Sequence, residues 1–299
     1  MAHEHRGDLT GLGGTAPAAV GTSLLEDFSL EMTGKDVAEL EAAATGIPQG
    51  TRINVTFLGN ENLALRLEAA RTVKRLGFIP VPHISARRLG SRQQFEEFLA
   101  GLRAHDACEN VFVVGGDPSS PEGPYEDSLS LIRTGLLERY GVRDVGISGY
   151  PEGHPAIPDD VLWSALGRKD IALAERGLSG GIVTQFAFDA DRVLAWIEAA
   201  RERGITLPVR IGVPGPAGVR RLVSFAGRLG VGTSASIAKK YGLSIGGLMG
   251  TAGPDRFLRA LADAYEPGRH GEVKLHFYTF GGLKATSEWV TEFTKEAIA

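Results

Sequence analysis

The chain has 299 residues, 43% of them hydrophobic and 23% charged, a balance that supports a large buried core and lacks the signature of a disordered chain. Its formal net charge of -4 supplies no basic field, so neither nucleic acid nor an anionic membrane surface is an expected partner, and small molecules are favoured. The lone Cys108 excludes an intrachain disulfide. No Cys/His set has zinc-site spacing, no apolar run approaches a membrane span of about 18 residues, and the N-terminus lacks a signal-peptide core, so a metal-free cytoplasmic protein is expected.

Residues 1–25, rich in Gly, Ala and Thr without a sustained period, read as a flexible arm, leaving 26–299 as one domain. Eight runs dense in Val, Ile and Phe follow: Asp27–Met32, Arg52–Leu58, Ile79–Ser85, Asn110–Gly115, Asp144–Tyr150, Gly180–Phe188, Pro208–Val213 and Val273–Phe280. Helical spacing separates them, as in Leu63, Leu67, Ala70 and Val73, or Val193, Leu194, Ile197 and Ala200. Eight apolar strands alternating with amphipathic helices predict an α/β fold, a closed (β/α)8 TIM barrel. A doubly wound open sheet is the competing architecture, but the first strand leads into Glu31-Met-Thr-Gly and not into a glycine-rich dinucleotide turn. The long connection before the last strand predicts a helical insertion, with helices at Thr233–Tyr241 and Pro254–Tyr265. Within it, Gly246–Gly253 lacks the Lys-Ser/Thr ending of a phosphate loop and reads as an interhelical turn.

Barrel enzymes place their chemistry where strands finish. Here the strands finish on polar residues: Glu31, Thr56, His83 and Ser85, Gly115-Gly116-Asp117, Tyr150 with Glu152 and His154, Thr184-Gln185, and Tyr278-Thr279. Burying such groups is costly unless they serve a ligand. Each has a plainer reading as well: Glu31 as a helix cap, Asp117 as a turn former and His83 as a core histidine. Two adjacent glycines, Gly115 and Gly116, let backbone approach a flat ring or a phosphate.

Together Phe28-Ser-Leu-Glu31, Asn54-Val-Thr-Phe57, Pro82-His83, Gly116-Asp117, Gly149-Tyr-Pro-Glu-Gly-His-Pro155, Ile182-Val-Thr-Gln-Phe186 and His276-Phe-Tyr-Thr279 resemble the methylenetetrahydrofolate reductase family. The resemblance implies hydride transfer between 5,10-methylenetetrahydrofolate and 5-methyltetrahydrofolate in either direction, with NADH or NADPH and usually FAD. It implies that Glu31 is the acid toward N10 of the folate and Asp117 the carboxylate near flavin and pterin. Gln185, Tyr278 and Lys284 are implied as folate contacts. Thr56, His83, Gly115, Gly116, Asp117, Tyr150, His154 and Lys169 are implied as the flavin lining. Opening the methylene bridge needs a donor with a raised pKa, which a Glu at an apolar barrel mouth suits. The family often carries Arg where Gly115 stands, and a basic residue near the position of Leu173, one helical turn beyond Lys169. Weakly held FAD, or hydride passed directly from NAD(P)H, is therefore expected. The competing functions are a non-catalytic flavin- or folate-binding barrel and a lyase or aldolase, which would want a strand-end Lys or a metal set. Whether the chain forms a homo-oligomer is left open.

Overall fold

The computed structural model describes residues 23–57, 59, 61–229 and 251–298. Eight parallel strands close into a barrel: β1 (Ser29–Thr33), β2 (Arg52–Thr56), β3 (Ile79–Ser85), β4 (Asn110–Val114), β5 (Asp144–Gly149), β6 (Ser179–Thr184), β7 (Val209–Pro214) and β10 (Val273–Tyr278), with β10 returning to pair β1. Two-residue strands β8 (Ala217–Gly218) and β9 (Thr251–Ala252) form a separate antiparallel ribbon. All eight expected barrel strands are present, most of them ending one to four residues before the predicted limit. The helix expected at Pro254–Tyr265 occupies Asp255–Ala264. The Thr233–Tyr241 expectation and residues 246–250 of the glycine-rich stretch lie outside the described residues. Residues 23–25, read as part of the arm, form a helical turn whose Leu24 and Leu25 are buried in the core.

Strand geometry sends alternate side chains to opposite faces. The outward set, including Leu30, Met32, Ile53, Val55, Val111, Val113, Val145, Ile147, Ile211, Leu275 and Phe277, is almost wholly buried in the main core beneath the helices. Burying each such side chain contributes about 1.5–3 kcal/mol. The inward set is different. Only Val81, Phe112 and Val183, with Val114 against them, make an apolar plug. Below it Arg52 donates to Asn110 Oδ1 at 2.9 Å and faces Asp144 at 3.6 Å. Above it the inward residues include Glu31, Asn54, Thr56, His83, His276 and Tyr278, so the barrel has an ion pair towards one end and is lined with polar groups at the other.

The helices after the strands start under side-chain caps, Asn62 on Leu63–Arg75, Ser91 on Arg92–Ala104, Asp127 on Ser128–Ile132 and Asp189 on Ala190–Glu202. Each cap satisfies a backbone N–H left over at a helix start and is worth about 1 kcal/mol. The caps fix the loops that carry the strand-end residues. No helix among the described residues is long and apolar enough to cross a membrane.

Candidate active site

Because all eight strands are parallel, Glu31, Thr56, His83, Asp117, Tyr150, Gln185 and Tyr278 share the carboxyl rim. Glu31 is not a helix cap: the turn that follows it is capped by Thr33, whose backbone N–H and hydroxyl both donate to Asp36 Oδ2 at 2.7 and 2.8 Å. Its carboxylate stands 3.4 Å from His276 Nε2, with the imidazole fully buried and the acid 20% exposed. The other ring nitrogen of His276, Nδ1, lies 2.9 Å from Ser29 Oγ, and Thr279 Oγ1 donates to the Glu31 carbonyl at 2.6 Å. Ser29, His276 and Glu31 thus form one hydrogen-bonded chain across two neighbouring strands.

Burial, the largest influence on Glu31, raises its pKa, but the His276 hydrogen bond and the nearby histidines outweigh it, and the balance is a lowered pKa. The expectation of a raised value does not hold for the free protein. Two histidines flank an acid that the sequence alone presents as standing in apolar surroundings. In the sequence His276 is visible only as part of a motif. Its alternation in Val273-Lys-Leu-His-Phe-Tyr278, which points it into the barrel, is the available signal.

His83 is buried, 3.2 Å from Asn54 Nδ2 and packed on the Phe112 ring at 4.7 Å. Burial pushes it down to about 4, so it is neutral at ordinary pH. Its carbonyl accepts from Arg66 at 2.5 Å, and Arg66 lies over the rings of Phe57 and Phe98. The core reading of His83 is thereby satisfied, while its ring still borders the Glu31 cluster.

Beside it, the hydroxyls of Thr56 and Ser85 are buried and reach no hydrogen-bond partner. Gly115 has open space where a side chain would go, and Gly116 sits at φ +98, where a β-carbon would collide with the Ser85 hydroxyl. The ends of β2, β3 and β4 therefore form a flat shelf with two unused hydroxyls, a surface suited to the edge of a planar polar ring.

Asp117 at the edge of this shelf is held by Arg88 through two bonds of 2.8 and 2.6 Å, and the guanidinium keeps its carboxyl below the usual range. It is 76% exposed and touches neither Glu31 nor Gln185. Arg88, from the turn after β3, also faces Glu122 at 3.9 Å. Gln185 accepts from the Phe186 backbone N–H at 3.1 Å. Tyr278 donates to the Thr184 carbonyl at 3.1 Å, and burial raises its pKa. Tyr150 packs edge-on against His154, whose Nδ1 accepts from Ala156 at 3.2 Å.

Two residues lie away from this cluster. Lys169 is only 6% exposed, in the middle of the Asp159–Glu175 helix among its buried residues, and not on the rim. Lys284 is 69% exposed and pairs with Glu288 at 3.8 Å on the C-terminal helix.

A cavity of about 410 Å³ opens at the mouth beside Glu31, lined also by Thr56, Thr279, Arg221, Phe225 and Phe280. A second, of about 440 Å³, lies between the Asp159–Glu175 and Ala190–Glu202 helices, with Trp163, Trp196 and Arg192 in its wall. The first holds the acid and an orphan hydroxyl, so the chemistry is assigned there.

The family model described as methylenetetrahydrofolate reductase matches residues 42–239, about two thirds of the chain. Methylenetetrahydrofolate reductase 2 of Saccharomyces cerevisiae is 27% identical over 120 residues, covering 36% of this chain and 19% of that protein. Methylenetetrahydrofolate reductase 1 of Schizosaccharomyces pombe is 30% identical over 118 residues, covering 37% and 19%. The probable methylenetetrahydrofolate reductase (NADH) of Oryza sativa subsp. japonica is 25% identical over 175 residues, covering 52% and 28%. The matches thus span between about a fifth and somewhat over a quarter of those relatives' length. Among solved structures, a dihydropteroate synthase from Thermus thermophilus in complex with 6HMPPP superposes at a TM-score of 0.47 with 14% identity, over 90% of this chain and 92% of that one. On the strength of the family model, and with the barrel and its acid-bearing mouth in place, this chain belongs to the methylenetetrahydrofolate reductase family.

Proposed function

We propose that the chain transfers hydride between a reduced pyridine nucleotide and the methylene carbon of 5,10-methylenetetrahydrofolate, with Glu31 managing the proton on N10. The carrying observation is the Ser29–His276–Glu31 chain opening onto the cavity at the barrel mouth. Hydride cannot add to the closed five-membered ring, so N10 leaves as an amine while a proton arrives from Glu31, exposing a cationic N5 iminium. Asp117, ionised and paired with Arg88, is the second carboxylate on the same rim. Gln185 and Tyr278 are the neighbouring polar groups for the pterin.

The carboxylate of the free protein is ionised at neutral pH, so its two directions of use differ. As a base it is ready to take the N10 proton of 5-methyltetrahydrofolate. As an acid it must first be protonated, either through His276 or because entering substrate displaces water and strengthens the burial that raises its pKa.

The shelf at β2, β3 and β4 fits a flavin ring: Thr56 and Ser85 offer hydroxyls, Gly115 and Gly116 offer close approach, and Tyr150 and His154, which the family resemblance adds to the lining, stand together at the end of β5. FAD bound there would relay hydride between nicotinamide and folate. Its diphosphate is less well provided for, since Lys169 is buried and Leu173 faces the core. That favours a second reading, in which NADH or NADPH passes hydride directly and any FAD is lost on dialysis.

The test is turnover of methylenetetrahydrofolate with NADH and with NADPH, alongside the visible absorption spectrum of the protein before and after dialysis. Turnover with either nucleotide supports the proposal, and a yellow chromophore that survives dialysis decides for the flavin route. Folate or flavin binding without turnover in either direction would instead mark a non-catalytic barrel.

A further inference from the structure

The cavity at the mouth contains a guanidinium that neither the acid nor the flavin shelf uses. Arg221 lies in the first turn of the Val219–Leu229 helix, and one of its nitrogens, Nη1, donates to the Phe280 carbonyl at 2.7 Å. No carboxylate among the described residues forms an ion pair with it. The two other titratable groups that line the cavity with Glu31 are already engaged: Asp36 accepts from Thr33, and Glu39 accepts from the Leu283 backbone N–H at 2.7 Å. Among the described residues, Arg221 is the cavity's one basic side chain.

We propose that Arg221 receives the glutamate carboxylate of the folate, a reading that rests on the folate assignment above. In folate, N10 is bonded directly to a benzoyl ring, and the glutamate leaves the far side of that ring. The cavity presents matching chemistry in its wall: the Glu31 carboxylate, the Phe225 and Phe280 rings stacked at 4.3 Å and 12°, and the Arg221 guanidinium. With N10 at Glu31, the benzoyl ring meets the aromatic pair, and the carboxylate meets a planar fork built for it. The helix adds to the same field, because Arg221 stands at its N-terminal end, where the backbone dipole favours an anion. Lys284, implied by family resemblance as the tail contact, does not line this cavity and is paired elsewhere. Arg221 takes its place as the specificity residue for the tail.

The experiment measures equilibrium binding of two ligands, 5-methyltetrahydrofolate and the corresponding 5-methyltetrahydropteroate that lacks glutamate, to the wild-type chain, Arg221→Met and Arg221→Lys. The wild type is expected to prefer the glutamyl ligand by about 5–50-fold. Arg221→Met should abolish that preference while binding the pteroate within about twofold of wild type, which also shows that the variant is folded. Arg221→Lys keeps the charge but not the fork, and should retain part of the preference. A preference that survives in Arg221→Met overturns the assignment, as does pteroate binding without any preference in the wild type. If the wild type binds neither ligand, the folate reading of the whole site fails, and this proposal falls with it.

Discussion

Removing a carboxylate from water raises its pKa, and Glu31 is largely removed from water, yet the imidazole at 3.4 Å and the second histidine nearby turn the balance the other way. The consequence is directional. A lowered pKa means that the protonated acid becomes scarcer as pH rises, so kcat/KM for reduction of methylenetetrahydrofolate should fall with rising pH across the neutral range, approaching tenfold per unit where ring opening limits the rate. The reverse reaction needs the base form and should be flat over the same range. Glu31→Gln keeps the shape but carries no proton, and should slow folate turnover by about 10²–10⁴ with folate binding little changed. His276→Gln is the sharper probe of the hydrogen-bonded chain. Losing the ring removes the main offset to burial, so the Glu31 pKa should rise and the fall-off in the reductive profile should move to higher pH. An unmoved profile would leave His276 a packing residue only.

At the scale of elements, the eight strands are legible because each is an apolar run bounded by turn-forming residues, and a strand in a barrel meets helices on its outer face along its whole length. The inward face is not legible in the same way. Ser29, Glu31, Asn54, His83 and His276 alternate with Leu, Ile, Val and Phe, but one strand's alternation does not show which polar residues from different strands will meet. The cluster is a product of closure and register: β1 pairs with β10 so that Ser29 lies opposite His276. Lys169 shows the complementary failure. Counting along a helix places it near a phosphate, whereas packing against the Ser128–Ile132 helix buries it beside Asp127 and pushes its pKa down to about 8. A lysine whose folded pKa lies below the unfolded 10.5 binds protons less readily when folded, so its burial costs stability at every pH below that window. At pH 7 the cost approaches about 3 kcal/mol, with the attraction of Asp127 already included. Lys169→Met should therefore raise the unfolding free energy by about 1–3 kcal/mol in urea titrations and leave nucleotide and folate binding unchanged. Destabilisation, or loss of flavin, would restore the lysine to the ligand site.

For the molecule as a whole, closing eight strands commits the barrel interior to whatever its inward residues are, and here the apolar plug is small, with a polar layer above it. His83 occupies the junction, packed at a tilt against Phe112 of the plug and bonded to Asn54 of the polar layer, within the field of Glu31, His276 and Arg66. Its folded pKa of about 4 lies below the ordinary 6.5. Between those two values the unfolded chain binds a proton that the folded chain refuses, so stability rises with pH through this window. The contribution is complete above about pH 6.5 and is lost as pH falls toward about 4. Over the roughly two units from 6.5 to 4.5 the loss comes to about 2–3 kcal/mol, a large share of the roughly 5–15 kcal/mol that holds a domain folded. Glu31 and Asp117, whose pKa values are lowered from 4.5 and 3.8, lose their contributions only at more acid pH and do not blur the window. His83→Gln retains hydrogen bonding to Asn54 but does not titrate. It should be less stable than wild type at about pH 7 because the Phe112 contact is lost, and should lose about 2–3 kcal/mol less than wild type on going to about pH 4.5. Urea unfolding of both proteins at the two pH values measures the difference directly. Equal losses would mean that protonated His83 is tolerated inside the closed barrel, and the polar layer would then have to admit water at its centre.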